Sequence, residues 1–223
     1  MKKIIWIIIA VIAVAAIATF AYFLKPVSAP SQDINEVTSK LPAGSATSSV
    51  YRISQKESLV TFTMNELLRG KPFLVVGTTT QIAGDIAVKD GKFDIGELAI
   101  NAKTLVTDSA SRNGAIARAI LKSETPGNEF MIFRPSSNDF TGALAMGKEV
   151  SFNVMGDLTI SGVTKPVTFK VTATVEAGKV TGTATTTLKR SDFNLKIPDL
   201  SFIANVDDEF PVTAKIVADR VMY

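Results

Sequence analysis

The sequence predicts an all-β fold: an eight-stranded antiparallel barrel with one short helix, preceded by a single N-terminal transmembrane helix. Three observations carry this. From residue 51 onward, apolar residues recur at every second position in about eight stretches joined by short turns, with no βαβ rhythm. One pair of stretches, Val150 to Ala177, is long and one-sided. Ahead of them, Ile4 to Leu24 carries no charged residue.

That N-terminal run is 21 residues, roughly 31 Å as a helix, enough to cross a hydrocarbon core of about 30 Å. Trp6 and Tyr22 lie near its ends, where amphipathic rings prefer the interface. Lys2 and Lys3 outnumber Lys25, which directs the N-terminus to the cytoplasm and the rest outside it. The alternative is a cleaved signal peptide, with Val27-Ser28-Ala29 as a small-residue site. Pro30 follows that site, and the apolar run exceeds the usual 7–15 residues. The expected organisation is an anchor (or signal peptide) over 1–25, a flexible linker over 26–50 and a β-barrel domain over 51–223. Pro26, Pro30, Pro42 and Gly44 break any long periodicity in the linker, where Ile34 and Val37 allow at most one helical turn.

The strands follow in order. Val60, Phe62 and Met64 alternate with Thr61 and Thr63. Phe73 to Val88 is a longer stretch that bends at Gly77 or Gly84. Asp90-Gly91 signals a hairpin turn into Lys92 to Ala102, where apolar parity changes at Gly96-Glu97, the mark of a bulge. Ser109 to Lys122 is the one soluble helix, capped by Asp108 or Ser109, with Ile116 and Ile120 on one side. Glu129 to Arg134 and Phe140 to Leu144 are shorter apolar pieces, read together as one bent strand.

In the central hairpin Val150, Phe152, Val154, Leu158 and Ile160 share a face, as do Val167, Phe169, Val171, Ala173 and Val175; Ser161 to Pro166 interrupt the pattern. A one-residue slip would turn every apolar group to water, so the register is strongly specified. The next strand, Val180 to Arg190, continues this inner parity as Val180, Gly182, Ala184, Thr186 and Leu188. Small groups there either leave room inside or accommodate large neighbours in a filled core. Glu209 to Val221 closes the set with Phe210, Val212 and Ala214 inward.

Composition excludes several functions. Of 24 Lys/Arg and 21 Asp/Glu, four and two fall in the first fifty residues, which leaves 20 and 19. A nearly neutral domain without a basic stripe is no nucleic-acid binder. There is no cysteine and no histidine, so disulfides, thiolate chemistry, the common triads and the usual zinc and copper sites are absent. The run Asp207-Asp208-Glu209 reads as a solvated loop before it reads as an acid/base pair. Arg190 and Asp192 read as a structural ion pair at a corner. Arg112 and Arg118 sit on the helix, where a polar ligand group could meet them.

Gly156-Asp157-Leu158-Thr159-Ile160-Ser161-Gly162-Val163-Thr164-Lys165-Pro166-Val167 resembles the signature stretch of the YceI-like family, lipocalin-like polyisoprenoid-binding proteins outside the cytoplasm. Ser58 to Phe62 is similar to that family's first strand, Arg112-Asn113 to the Arg-Asp that opens its helical excursion, and Arg190-Ser191-Asp192-Phe193 to its late corner. The sequence departs from the family in Asn113, in the missing histidine after it, in a shortened segment around Glu124 to Phe130, and in Asn194 where glycine is usual.

The resemblance implies a lipocalin-like barrel around an apolar tunnel for a polyprenyl chain or an isoprenoid quinone. The expected function is non-enzymatic carriage or sequestration of that lipid at the outer face of the cytoplasmic membrane, through residues 4–24. The expected lining is Phe152, Val154, Leu158, Ile160, Phe169, Val171, Ala173, Gly182, Ala184, Phe210, Val212 and Ala214. Arg112 and Arg190 are the head-group candidates; no catalytic residue, metal or further cofactor is expected. The alternative is a filled barrel serving as a structural or protein-interaction module of the cell envelope, and cavity volume separates the two.

Overall fold

Alternation along the chain becomes one antiparallel sheet. The computed structural model describes residues 2–41, 48–198 and 203–221, without the side chains of 2, 16, 19, 20, 23, 24, 203 and 204. The central hairpin is β9 (Glu149–Ile160) and β10 (Val163–Glu176), counted along the whole chain. Only Ser161 and Gly162 lie between them, because Ile160 already pairs with Val163. Their φ angles, 49° and 78°, are both positive, as a two-residue type I′ turn requires. The expected six-residue interruption is therefore a tight turn, and Pro166 lies within β10 opposite Asp157.

Ahead of the hairpin come β1 (Ser48–Ile53), β2 (Leu59–Leu68), β3 (Lys71–Thr79), β4 (Ile82–Ala83), β5 (Asp85–Lys89), β6 (Lys92–Ile95), β7 (Leu98–Asn101) and β8 (Phe130–Asn138). After it come β11 (Lys179–Lys189), β12 (Ile203–Ala204) and β13 (Glu209–Arg220). Strands β7 to β11 pair in succession, and β11 pairs with β13. Strand β13 pairs with both β1 and β2; these pair with β5 and β3; β4, in the same stretch of chain, pairs back with β7. The sheet curls through this circuit. The expected count of eight strands is not what forms: there are thirteen segments among the described residues. Interruptions at 54–58, 80–81, 84 and 96–97 split the long stretches, because a curling sheet must break or bulge its ladders where it turns. The bulge expected at Gly96-Glu97 lies between β6 and β7, where Gly96 N–H donates to the Asp85 carbonyl, 2.9 Å.

Phe140 to Leu144 forms no strand; β8 ends at Asn138. The Phe140 ring instead packs against Phe93 and Phe152, with centroids 5.8 and 5.6 Å away, and those two rings stack at 5.0 Å. The soluble helix is shorter than expected. Helix α2 (Ala110–Ala115, with α1 the N-terminal helix below) is capped by Ser109, and the chain then widens into a π-helical turn over Ile116–Ile120. Lys122, at φ 49°, ends it.

Helix α1 covers Lys2–Leu24. Its unbroken stretch of described side chains is 3–15, about 20 Å at the helical rise. Among the described residues no helix is long and apolar enough to cross a membrane; the span expected from the sequence, Ile4 to Leu24, includes five side chains that lie outside them.

The stretch read as a flexible spacer packs along the sheet. Arg118 Nη2 donates to the carbonyls of Lys25 and Pro26, 3.0 and 2.7 Å, and Ser28 N–H donates to Glu124, 2.9 Å. Ile34, only 2 % exposed, sits against Ala83 and Ala99, both fully buried. Leu41 N–H donates to Asp85, whose carboxylate also binds Arg52 at 2.9 Å. Composition had suggested a polar tether, but one isoleucine opposite two alanines makes a socket that holds it.

Candidate functional site

The inner faces of the strands do not meet. They enclose a cavity of about 830 Å³, in the upper part of the range for small-molecule sites. All twelve residues expected on the inner face line it: Phe152, Val154, Leu158 and Ile160 from β9, Phe169, Val171 and Ala173 from β10, Gly182 and Ala184 from β11, and Phe210, Val212 and Ala214 from β13. Register explains the grouping. Phe152 lies opposite Val171, Val171 opposite Ala184, and Ala184 opposite Ala214, so one inner row crosses four strands. Directly opposed residues of an antiparallel pair share a face. The small residues of β11 leave space beside Phe152 and Phe169, so the filled-core alternative does not describe this interior.

The other wall was missed. Val60, Phe62 and Met64 of β2, Ile82, Ile86, Phe93, Ile100 and Phe133 complete the lining. The β2 alternation was visible in the sequence; the broken stretch 73–102 hides its inner parity at each bulge. Ile116, Ile120 and Leu121 roof the cavity from the helical excursion.

The cavity has unlike ends. Phe93, Phe140 and Phe152 crowd one end. At the other, Glu66, Arg69, Asp108, Ser109, Ser111, Arg112 and Arg190 line it together with Ile197 and Pro198. Arg112 donates to Glu66 at 3.0 Å, pairs with Asp108, and lies over the Phe73 ring at 5.1 Å. Glu66 is buried, and Arg112 gives it the cationic partner that a buried carboxylate requires. Arg69 and Arg190 complete a set of three cations against two carboxylates around the opening.

Arg190 does not form the expected ion pair with Asp192. Its guanidinium donates to three backbone carbonyls, Asp207 at 2.7 Å, Leu195 at 3.1 Å and Val206 at 3.0 Å. A planar five-donor fork suits several carbonyls of a tight corner. The next residues take the left-handed turn at Asn194, φ 54°, which explains how asparagine serves where glycine is usual. The acidic run is dispersed: Asp207 accepts from Asn65, Asp208 from Ser191, and Glu209 pairs with Lys189. The Ser191 hydroxyl and N–H hold the Asp208 carboxyl below its ordinary value. Among the described residues no cluster of acidic side chains could hold a metal ion. Asn113 accepts from the N–H and hydroxyl of Thr107, both 2.8 Å, and so braces the loop that opens the helix. Arg118 points away from the cavity, to Glu124 and to the segment that follows α1.

That segment is clipped to the outside of the site. Glu129 accepts from Ser31 N–H at 2.8 Å and Asn101 at 3.0 Å, and pairs with Lys103 at 2.8 Å. Burial alone would raise its carboxyl; the bonds from Lys103, Ser31 and Asn101 outweigh this and hold it at about 2, from an ordinary 4.5. A depressed carboxyl stabilises the folded state above its unfolded value and loses that contribution as pH falls through the folded value. A nitroxide on Gln32→Cys is therefore expected to stay immobile from neutral pH to about 4.5 and to loosen between about 4.5 and 2. Loosening already at neutral pH would contradict the clip.

An all-β sheet curled around an apolar cavity, with polar groups gathered at one end, is a lipocalin-like fold. Comparison with known proteins gives the family. The chain belongs to the YceI-like family: the model of the YceI-like domain matches residues 51–218. A UPF0312 protein of Pseudomonas putida (strain W619) is 31% identical over 173 residues, covering 72% of this chain and 84% of that protein. Among solved structures, BcnA of Burkholderia cenocepacia superposes with TM-score 0.58 at 21% identity, over 74% of this chain and 99% of the other. A polyisoprenoid binding domain from Saccharophagus degradans, implicated in plant cell wall breakdown, superposes with TM-score 0.62 at 13% identity, over 77% and 98%. At such identities the structural likeness concerns the fold.

Proposed function

We propose that this chain binds an isoprenoid lipid, a polyprenyl chain or the tail of an isoprenoid quinone, and carries or sequesters it without catalysis. The observation that carries this reading is the 830 Å³ cavity with its apolar walls and polar groups at one end. A prenyl chain offers apolar surface and almost no hydrogen bonds; each CH₂-sized group buried contributes about 0.8 kcal/mol. Arg112 and Arg190 stand where a polar head would rest. The YceI-like family match and the like fold of a polyisoprenoid binding domain support the ligand class.

The same reading places the protein at the cytoplasmic membrane, with the domain outside the cytoplasm and α1 as a single-pass anchor. The charge-free run Ile4 to Leu24 supports this, as do described side chains of α1 such as Trp6 and Ile17, which are 70 % and 68 % exposed. Tethering would raise the effective concentration of binder where the lipid resides. Purified full-length chain, extracted with organic solvent and analysed by mass spectrometry, is expected to yield prenyl lipid enriched over the surrounding membrane lipid. Recovery of none, with no uptake of an added ubiquinone bearing a four-unit tail, would overturn the reading.

A further inference from the structure

We infer that the polar end of the cavity rests on the bilayer surface, so that the lipid passes from the membrane into the cavity without crossing water. This rests on the isoprenoid reading and on α1 as anchor, and three independent features point to it.

The first is the path of the chain. Helix α1 packs against α2, and Tyr22 near its end lies 5.1 Å from the Arg118 guanidinium. Arg118 also holds the carbonyls of Lys25 and Pro26. The anchor thus leaves the domain beside the helical roof of the cavity, at the open end. From there the strap runs away along the wall, through Ser31 on Glu129 and Ile34 on Ala83 and Ala99, to Leu41 on Asp85. A flexible tether would let the domain tumble; a strap fastened at four places fixes which end faces the anchor.

The second is the surface beside the opening. On the outer face of β3, Leu74 and Val76 are 54 % and 43 % exposed, and Val106, bridged to Thr78 in the same row, is 52 % exposed. Inward neighbours Val75 and Gly77 are buried, so this exposure belongs to one face. Soluble surfaces seldom group large apolar side chains in this way without a partner.

The third is charge. The hairpin tip between β2 and β3 carries Arg69 and Lys71, both exposed, next to Leu68 on the rim of the cavity. An apolar strip edged by basic residues suits an anionic lipid surface, which attracts Lys and Arg near its headgroups. The opposite end differs in its apolar surface and its interior: Lys89 and Lys92 are exposed there too, but among the described residues Met146 alone is a large exposed apolar side chain beside them, and the interior is closed by rings.

The chain has no cysteine, so single-cysteine variants report one position each. Full-length Leu74→Cys and Met146→Cys, the latter position 62 % exposed on the loop before β9, are labelled with NBD and reconstituted in phosphatidylglycerol vesicles containing doxyl-lipid quencher. At position 74 emission is expected to fall at least twofold with quencher, and at position 146 to stay unchanged. Equal quenching at both, or none at 74, would overturn the inference. A second measurement separates transfer from binding. The double variant Lys71→Glu/Leu74→Glu changes two exposed side chains that do not line the cavity. It is expected to take up the four-unit ubiquinone from detergent to the wild-type level, yet about tenfold more slowly from vesicles. An unchanged rate from vesicles would also overturn the inference. If wild type takes up no quinone from detergent, the isoprenoid reading fails, and the quenching pattern still reports which end faces the bilayer.

Discussion

Ala184→Trp is expected to abolish isoprenoid uptake while the sheet stays folded. Ala184 lies on the inner face of β11, opposite Val171 on one side and Ala214 on the other, in the row that crosses the cavity. An indole brings 150–250 Å² of surface that must go somewhere, and here it projects into open space within the 830 Å³ cavity. Packing extra bulk into a filled core costs about 1–3 kcal/mol; entering a void avoids most of that strain. Uptake of the four-unit ubiquinone is expected to fall at least tenfold, with melting temperature little changed. Thr185→Trp, one residue along and exposed, is the control and is expected to bind normally. Full uptake by Ala184→Trp would show that ligand does not run past this wall.

Gly156→Ala is expected to damage the sheet itself. Gly156 falls on the inner parity of β9, where its neighbours are large, and the structure explains why it is small. A Cβ there would stand 2.3 Å from the Arg134 carbonyl oxygen and 2.8 Å from the Pro135 Cα. Strand β8 bulges at this point: Pro135 pairs with Gly156, and Ser137 with Met155. Bulges bend a strand and sharpen its twist, and the backbones approach closely where this one lies. The obstacle is backbone, which cannot rotate aside as a side chain can. A loss of about 3 kcal/mol is expected, a fall in melting temperature of roughly 6–12 °C for a domain of this size. Thermal unfolding followed by circular dichroism measures it. A melting temperature within about 1 °C of wild type would mean that β8 and β9 are not held this close.

These two residues show how much was legible. The strands β9, β10, β11 and β13 are regular, so a two-residue period assigns their side chains to faces, and all twelve expected lining residues meet on one cavity. The stretch 71–101 was harder. Its breaks at 80–81 and 96–97 each reset the parity, and Ile82, Ile86 and Phe93 could not be assigned inward from the pattern. Arg190 was paired with the wrong partner because carbonyl acceptors leave no trace in side-chain identity. The strap failed for a similar reason. Polar and small residues prevail in 26–41, and its docking rests on distant partners, such as Ala83 and Ala99 for Ile34, that the stretch itself does not contain.

The sequence alone determined that this is an all-β domain with one oily face per strand, and, by its signature stretch, which family it joins. Periodicity is a local property, written into neighbouring residues, and it survives without knowledge of the partners. Only the tertiary structure decided that the inner faces stay apart around a cavity, that polar groups gather at one end, and that the segment after α1 runs from that end along the wall. Those depend on which distant residues are brought into contact, as Ile34 with Ala83 or Arg112 with Glu66, and no single stretch of chain contains both halves of such a pair.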